Sequence, residues 1–245
     1  MLFWSILDAD VMGPHLYGSG SLDAYIPNAR ADNAIAFKGT WSGLTLGATA
    51  SLGRDAVNAG NPAGTNCAGE SAGDKQACRE WSALAKFDSA SWGVALAVDE
   101  IRGGAGAFAG LTGSALKDTR VSANGYARIG SVKATLGLLR RDNDASAITP
   151  RSDLWYAGVA FAAAPAVTLD AEVFSLRFKG SADGARLGVA RITYSLSRRT
   201  AVHASVGHIQ NRGQLALSVS AGAGGSNPVP GGAQSGLAVG VRHAF

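Results

Sequence analysis

The fold is decided by short stretches in which apolar residues alternate with small or polar ones, and a clear example is residues 44–52, which read LTLGATASL. Leucine or alanine occupies every even position of this stretch, whereas threonine, glycine and serine occupy the odd positions. Successive side chains of a β-strand point to opposite faces of the sheet. The stretch therefore predicts a strand with one apolar face and one polar or small face. Similar alternation begins at Trp92, Val132 and Gly236.

The pattern repeats along most of the chain, and tight turns alternate with long loops between the repeats. Thr40 to Gly43 form one short turn, and Gly130-Ser131 form another. We predict eleven strands, over residues 32–38, 44–52, 79–87, 92–101, 119–129, 132–140, 152–162, 167–178, 185–196, 201–209 and 236–245.

The composition separates a membrane barrel from a soluble sandwich. Charged residues make up only 16% of the chain, against roughly 25% in average soluble domains. The predicted polar faces carry mainly Gly, Ala, Ser and Thr. Strands of about ten residues, with one apolar face and with short turns at one end and long loops at the other, are typical of transmembrane β-barrels. In lipid such a sheet must close, because every backbone group needs a partner.

Two other classes of protein are disfavoured. No stretch reaches the roughly 18 consecutive apolar residues of a membrane-spanning helix, which excludes a helical membrane protein. The net charge is +4, but the basic residues are spread along the chain, so nucleic-acid binding has no support. We therefore predict an all-β, antiparallel transmembrane barrel with an apolar outer surface.

Aromatic residues recur near the short-turn ends of the predicted strands, as expected for the interfacial girdle of a barrel. Placing Tyr126 in this girdle also turns Ser122 and Asn124 outward, so the alternation is poor there. Trp81 and Trp155 fall at the opposite rim. The predicted girdle consists of Phe37, Trp41, Phe87, Trp92, Tyr126, Phe161 and Tyr194.

The alternation also predicts which charged side chains face the lumen. Each of them either lines the channel or belongs to an ion pair or the solvated rim. The predicted basic set is Lys38, Lys86, Lys133, Arg191 and Arg242, and the predicted acidic set is Asp99, Asp170 and Glu172.

The two cysteines, Cys67 and Cys78, lie in a segment rich in Gly, Ala, Asn and Ser. Ten residues separate them and no histidine lies nearby, so a zinc site is disfavoured. A disulfide is the favoured interpretation and would place the protein in an oxidising compartment. Two unpaired thiols are the alternative.

Three stretches resemble the general diffusion porins of Gram-negative bacteria. Residues 240–245, GVRHAF, resemble their terminal strand, which ends in an aromatic residue read by the outer-membrane assembly machinery. Residues 194–200, YSLSRRT, resemble the turn before the family's penultimate strand. Residues 32–37, DNAIAF, followed by 43–47, GLTLG, are similar to the sixth and seventh of the family's sixteen strands. The resemblance covers residues 28–245.

This resemblance implies an outer-membrane protein in contact with lipid, assembling as a homotrimer, without cofactor or metal. The chain would supply the sixth to sixteenth strands in residues 32–245, and Phe245 would be the assembly signal. Residues 1–31 would be a remnant of the pore-constricting loop, whose acidic groups would be Asp8, Asp10 and Asp23. Eleven antiparallel strands have parallel edges and cannot close in the usual way. We therefore expect an N-terminally shortened chain, consistent with the lack of a signal-peptide pattern at Met1.

The predicted function is a water-filled channel for passive diffusion of small hydrophilic solutes and ions. Catalysis is disfavoured: His203 and Ser205 share a strand face, but such neighbours are about 7 Å apart, too far for a nucleophile and its base. The alternative is a translocator or adhesin-type barrel with a plugged lumen. Residues 1–30, with Gly13, Pro14 and Gly18, are a poor match to the long helix expected before a translocator barrel.

Overall fold

A computed structural model describes residues 1–13, 15–28, 31, 33–53, 67, 69–107, 110–220 and 226–245. Within these residues the chain forms one antiparallel sheet of eleven strands, which confirms the predicted all-β fold. No helix in the described part of the chain is long and apolar enough to cross a membrane. The few helical turns are short and precede the first strand.

The strands follow the predicted order closely. They are β1 (Ala34–Trp41), β2 (Leu44–Ser51), β3 (Glu80–Asp88), β4 (Trp92–Arg102), β5 (Lys117–Ile129), β6 (Val132–Asn143), β7 (Arg151–Ala164), β8 (Val167–Phe178), β9 (Gly184–Ser195), β10 (Thr200–Arg212) and β11 (Ala233–His243). Before them lie α1 (Leu2–Ile6), a 3₁₀ turn (Ser19–Ser21) and α2 (Tyr25–Asn28).

Each strand pairs with its neighbours in sequence, so the sheet is a simple meander from β1 to β11. The register is continuous except at the end of the β7–β8 pair, where it shifts between Ala162 and Ala164. Because neighbouring strands alternate in direction and their number is odd, β1 and β11 run the same way. Side chains are exposed or half-buried on both faces of these two strands.

The sheet has two distinct faces, which we call inner and outer. The inner face carries the described residues between 1 and 28 and is buried, as at Ala97 and Leu139. The outer face is exposed and apolar: Leu96 keeps 60% of its surface and Leu136 keeps 58%. The alternation of apolar with small or polar residues in the sequence is therefore an alternation between these two faces.

Residues 1–28 are called here the N-terminal segment, and several of its described residues pack against the inner face. Leu2 and Ile6 of α1, together with Tyr17, belong to the same buried apolar cluster as Phe174 and Leu187 of the sheet. The long loop after β10 contributes Val219 to this cluster. The inner side of the sheet thus contains both an apolar core and the charged groups described next.

Candidate functional site

The candidate site is the inner face together with the N-terminal segment, which is held there by three clusters of charged side chains. The first is centred on Arg120 of β5, which is completely buried. Its Nε donates to Oδ2 of Asp23 at 2.9 Å, and its Nη1 donates to Oδ2 of Asp118 at 3.0 Å. The guanidinium carbon lies 4.2 Å from the centre of the Tyr25 ring. This Arg120 cluster joins the segment to the middle of the sheet.

Tyr25 extends the Arg120 cluster to β3 and β4. Its hydroxyl donates to Oδ2 of Asp99 at 2.7 Å and lies 3.3 Å from Oε1 of Glu80. Burial, and then the charges of Asp99 and Glu80, raise the pKa of Tyr25 well above its ordinary value, so it remains a neutral donor. Burial opposes ionisation of Asp23, but the charge and hydrogen bonds of Arg120 outweigh it and hold the pKa of Asp23 below the ordinary range.

The second cluster is centred on Arg191 of β9. Its Nη2 donates to the carbonyl of Val11 at 2.9 Å, and its Nη1 donates to that of Met12 at 3.0 Å. Its Nε donates to Asp170 of β8 at 2.9 Å. Oε2 of Glu172 accepts from the backbone amide of Met12 at 3.0 Å. This Arg191 cluster therefore holds the backbone of the segment through hydrogen bonds.

Asp10 lies beside the Arg191 cluster and is buried. It accepts from the Gly13 amide at 2.7 Å and from the Ser19 hydroxyl at 2.8 Å. Burial raises the pKa of Asp10 above its ordinary value, although the neighbouring Glu172 and these donors act in the opposite direction. The carboxyl thus favours its protonated form more than an exposed aspartate does.

The third cluster is centred on Lys86 of β3. Its ammonium pairs with Asp8 of the segment, and also with Asp88 at 2.9 Å. Asp88 accepts from the Tyr126 hydroxyl at 2.8 Å, and the Lys133 ammonium lies 4.8 Å from the centre of the Tyr126 ring. Asp8, Asp10 and Asp23 therefore all meet the inner face, in three different places.

Tyr126 corrects the predicted girdle. It is only 9% exposed and points to the inner face. The reason is the strand around it: Arg120 and Ser122, which share its face, are both fully buried on the inner side. The poor alternation at Ser122 and Asn124 was thus the consequence of assigning this face to the outside.

The remaining predicted aromatic residues are exposed or nearly so on the outer face. Phe37 and Trp41 stack with ring centres 6.2 Å apart, and Phe87 and Trp92 lie 5.3 Å apart. Trp81 and Trp155 are exposed nearer the long-loop ends. Phe245, beyond the end of β11, is fully exposed. The exposed residues at the short-turn end are Phe37, Trp41, Phe87, Trp92, Phe161 and Tyr194.

Two predicted lumenal bases lie toward the edges of the sheet. The Lys38 ammonium is 3.6 Å from the centre of the Trp4 ring, so it contacts the N-terminal segment. Arg242 of β11 is exposed and pairs in register with Ala201, which is buried on the inner face. Most of the predicted lumenal charges therefore lie on the inner face near the N-terminal segment, whereas Arg242 lies away from it.

Cys67 and Cys78 are joined in a disulfide. The Cys78 amide donates to the carbonyl of Gly103 at 2.9 Å, which seats the disulfide against the loop between β4 and β5. A Cβ atom at Gly104 would lie 2.5 Å from the sulfur of Cys78. Because glycine has no Cβ atom, the loop can approach the disulfide this closely at Gly104.

His203 and Ser205 are not hydrogen-bonded to each other. The His203 ring lies 5.7 Å from that of His15, and the Ser205 hydroxyl is buried without a hydrogen-bond partner among the described residues. Burial, followed by the charge of Arg191, lowers the pKa of His15. In the described part of the chain, no three His, Cys, Asp or Glu side chains are placed to bind a metal ion.

Sequence reasoning missed Arg120, Asp118 and Arg141, a connected charged group in which Arg120 and Asp118 are fully buried. Arg141 of β6 donates from Nη2 to Oδ2 of Asp118 at 2.7 Å. The available signal was the run of polar residues at alternate positions 118, 120, 122 and 124 of β5, which marks an inner face.

Comparison with known proteins agrees with this geometry. A family model described as Gram-negative porin matches residues 3–214. No curated protein matches the sequence. An anion-selective porin from Comamonas acidovorans aligns with a TM-score of 0.68 at 15% identity, covering 88% of this chain and 60% of that one.

OmpT, an outer-membrane protein of Vibrio cholerae, aligns with a TM-score of 0.67 at 12% identity over 96% of this chain and 72% of that one. A further porin aligns with a TM-score of 0.58 at 12% identity, covering 88% of this chain and 63% of that one. At these identities the likeness establishes the fold. The chain spans about 60% of the length of the Comamonas porin.

Proposed function

The chain belongs to the Gram-negative porin family of outer-membrane proteins, and on that premise we propose that it forms a water-filled channel for passive diffusion of small hydrophilic solutes and ions. The observation that carries the proposal is the contrast between the two faces. The outer face exposes Leu96, Leu136 and Val173, whereas the inner face holds Arg120, Arg191 and their partners. Such a sheet is built to separate lipid from a polar interior.

We further propose that the N-terminal segment narrows the channel. Hydrogen bonds and ion pairs tie it to β5 through Asp23, to β9 through Val11 and to β3 through Asp8. A segment fixed at three places reduces the open width and sets the charges that a solute meets. By this proposal, residues 1–31 are the constricting element and residues 32–245 the barrel portion.

We also infer how the protein is assembled. The exposed rings at the short-turn end, among them Phe87, Trp92 and Tyr194, are suited to the lipid interface. Phe245 is fully exposed at the end of the chain, where the outer-membrane assembly machinery could read it. A homotrimer is the proposed assembly, supported by family membership.

Conductance in a planar lipid bilayer tests the channel. The protein is refolded in detergent and added to one side, and the current is recorded at fixed voltage in solutions of increasing salt. We expect stable steps whose size rises in proportion to salt concentration, because ions would cross through water and not through a specific carrier site.

A substitution at the segment sharpens this test. Asp23→Asn weakens the ion pair with Arg120 and should change the step size or open-state noise, whereas Asp153→Asn removes an ion pair on the outer face and should leave both unchanged. Insertion without any step would contradict the channel and support the barrel with a plugged lumen.

A further inference from the structure

A polar cavity lies on the inner face at the long-loop end of β6, β7 and β8. Its volume is about 410 Å³, within the range of roughly 300–1,000 Å³ that is typical of small-molecule sites. Its floor is a row of residues on three neighbouring strands, because Ser152 is the register partner of both Arg141 and Phe178. The floor thus combines a guanidinium, a hydroxyl and an aromatic ring.

The loop between β6 and β7, residues 144–150, covers this cavity. Ser146 and Thr149 of the loop both line it. The amide of Asn143, at the end of β6, donates to the carbonyl of Pro150 at 2.7 Å, so the two ends of the loop are joined. The covering loop therefore places two hydroxyl groups opposite the floor.

The hydroxyl groups around the cavity have unused hydrogen-bonding capacity. Ser152 is only 8% exposed, and its hydroxyl forms no hydrogen bond with any residue that the structure describes. The hydroxyls of Ser146 and Thr149 lie 3.2 Å apart, so one of them donates to the other and the second hydrogen is left over. A buried hydroxyl without a partner is unfavourable, and a hydroxylated ligand would supply the missing hydrogen bonds.

The charge of the cavity is balanced. Arg141 is the single charged residue among the described residues that line it. Its Nε donates to Oδ1 of Asp118 at 2.9 Å, and its Nη2 donates to Oδ2 at 2.7 Å. Arg120 and Asp23 continue this group, which then holds two arginines and two aspartates. A neutral ligand suits such a site, because an added charge would be buried without a counter-charge.

Phe178 narrows the class of neutral ligand. Its ring is half-buried and lines the cavity on the side opposite Arg141 along the floor. The face of an aromatic ring is negative and attracts the weakly positive hydrogens of C–H bonds. A sugar ring carries hydroxyl groups around its edge and C–H bonds on its faces, so it matches both the hydroxyls and the aromatic ring.

We propose that this cavity binds a neutral monosaccharide. The sugar hydroxyls bond to Ser152 and to the hydroxyls of Ser146 and Thr149, and one face of the sugar ring packs on Phe178. The proposal rests on the proposed channel in one respect, namely that solutes reach the inner face through it. Binding at the long-loop end would hold a sugar at the entrance to the narrower part of the channel.

The experiment measures glucose binding to the refolded chain by saturation-transfer difference NMR, in lauryldimethylamine oxide, a detergent without sugar groups. We expect saturable binding in the millimolar range. Ser152→Ala should weaken it roughly three- to tenfold, as expected for the loss of one hydrogen bond, and Phe178→Leu should weaken it several-fold. The matched control is Ser205→Ala, which removes another buried, unpartnered hydroxyl, one that lies on β10 outside the cavity, and should bind glucose as the unchanged chain does. Far-UV circular dichroism verifies that every variant is folded.

Three results would overturn the proposal. The first is glucose binding that does not saturate. The second is unchanged affinity in Ser152→Ala. The third is equally tight binding of gluconate, the negatively charged oxidised form of glucose, which would refute the choice of a neutral ligand. None of these readouts is a conductance, so a conducting protein that does not bind glucose refutes the sugar site alone, and a binding protein that does not conduct refutes the channel alone.

Discussion

At the scale of single residues, the most consequential side chain is Arg120. It is fully buried and lies between two carboxylates, one from the N-terminal segment and one from its own strand. Asp118 has a second partner in Arg141, whereas the ion pair of Asp23 is with Arg120. The free energy that holds the segment in place should therefore depend strongly on this one guanidinium.

We expect Arg120→Ala to lower the free energy of unfolding by roughly 3–5 kcal/mol, because it leaves a buried carboxylate without its counter-charge. Limited proteolysis with chymotrypsin should then cut near Tyr17 and Tyr25, which are buried in the unchanged protein. The control is Arg140→Ala, which removes an exposed ion pair and should alter neither unfolding by urea nor cleavage. A protease pattern identical in both variants would contradict the prediction.

Asp10 and Asp23 should give opposite pH dependences. The raised pKa of Asp10 means that its carboxyl stabilises the fold below about pH 4, its unfolded pKa, and that this contribution is lost as pH rises through the folded pKa. The lowered pKa of Asp23 means that its contribution is present above about pH 4 and is lost as pH falls through its folded pKa.

Urea unfolding in detergent micelles at several pH values tests this pair. Asp10→Asn should gain stability relative to the unchanged protein as pH rises from 4 to 8, since the amide avoids the buried negative charge. Asp23→Asn should be less stable than the unchanged protein from pH 4 to 8, and this difference should shrink as the pH falls below about 4, through the folded pKa of Asp23. If the free energy of unfolding changed with pH in the same way in both variants, the two carboxyls would not have pKa values shifted in opposite directions, and the prediction would be wrong.

Residue roles were harder to predict than strand faces. The inward direction of Lys86, Asp99 and Arg191 follows from simple alternation. The contact of Arg120 with Asp23 does not, because the two residues are 97 positions apart and no local pattern relates them. Tyr126 was misplaced because an aromatic at a strand end was taken as a girdle residue, although the polar residues on its face indicated the inside.

At the scale of elements, the strands were the easiest part to predict. Alternation of side chains is a local property of an extended backbone, so the residues of β2 or β8 are sufficient to identify their own faces. The path of the N-terminal segment and of the loop after β10 could not be predicted in this way. Their positions depend on contacts between residues far apart in sequence, such as the hydrogen bond from the Ser21 hydroxyl to the carbonyl of Val219.

Packing between neighbouring strands gives a test at this scale. Gly137 of β6 pairs in register with Tyr156 of β7, and a Cβ atom at Gly137 would lie on the Tyr156 ring. The ring in turn packs against Phe174, with ring centres 6.2 Å apart. The tyrosine thus fills the space that the glycine leaves free, and it has little room to move.

We expect Gly137→Val to destabilise the fold by roughly 1–3 kcal/mol, the usual cost of overfilling a packed site. Gly188→Ala is the matched control, because it adds a methyl group to a strand glycine with open space around it. Thermal unfolding followed by circular dichroism compares the two. Equal unfolding temperatures for the two variants would mean that the Tyr156 side chain can move aside at little cost.

At the scale of the whole molecule, the main feature is the continuous apolar outer face. Its exposed leucines, valines and aromatics would be unfavourable in water but suit a lipid environment. The inner face, by contrast, buries its charges in pairs under the N-terminal segment. The two faces of the sheet are therefore suited to two different surroundings, lipid on the outer side and a polar interior on the inner side.

Leu96→Arg, near the middle of β4 on the outer face, should cost roughly 2–4 kcal/mol in lipid vesicles. Ile148→Arg makes a similar change in the loop between β6 and β7, where the side chain is already 84% exposed, and should have little effect. Refolding yield and urea unfolding in vesicles provide the comparison. A loss of equal size at both positions would be inconsistent with a lipid-facing β4.

The N-terminal segment precedes every strand in the chain, yet all the strands that hold it come later. The amide of Met12 meets Glu172 across 160 residues, and Arg191 meets Val11 across 180. Contacts of such long sequence separation form slowly, because much of the intervening chain must first be ordered. We therefore expect the first part of the chain to be among the last to reach its place, after the strands that hold it have paired.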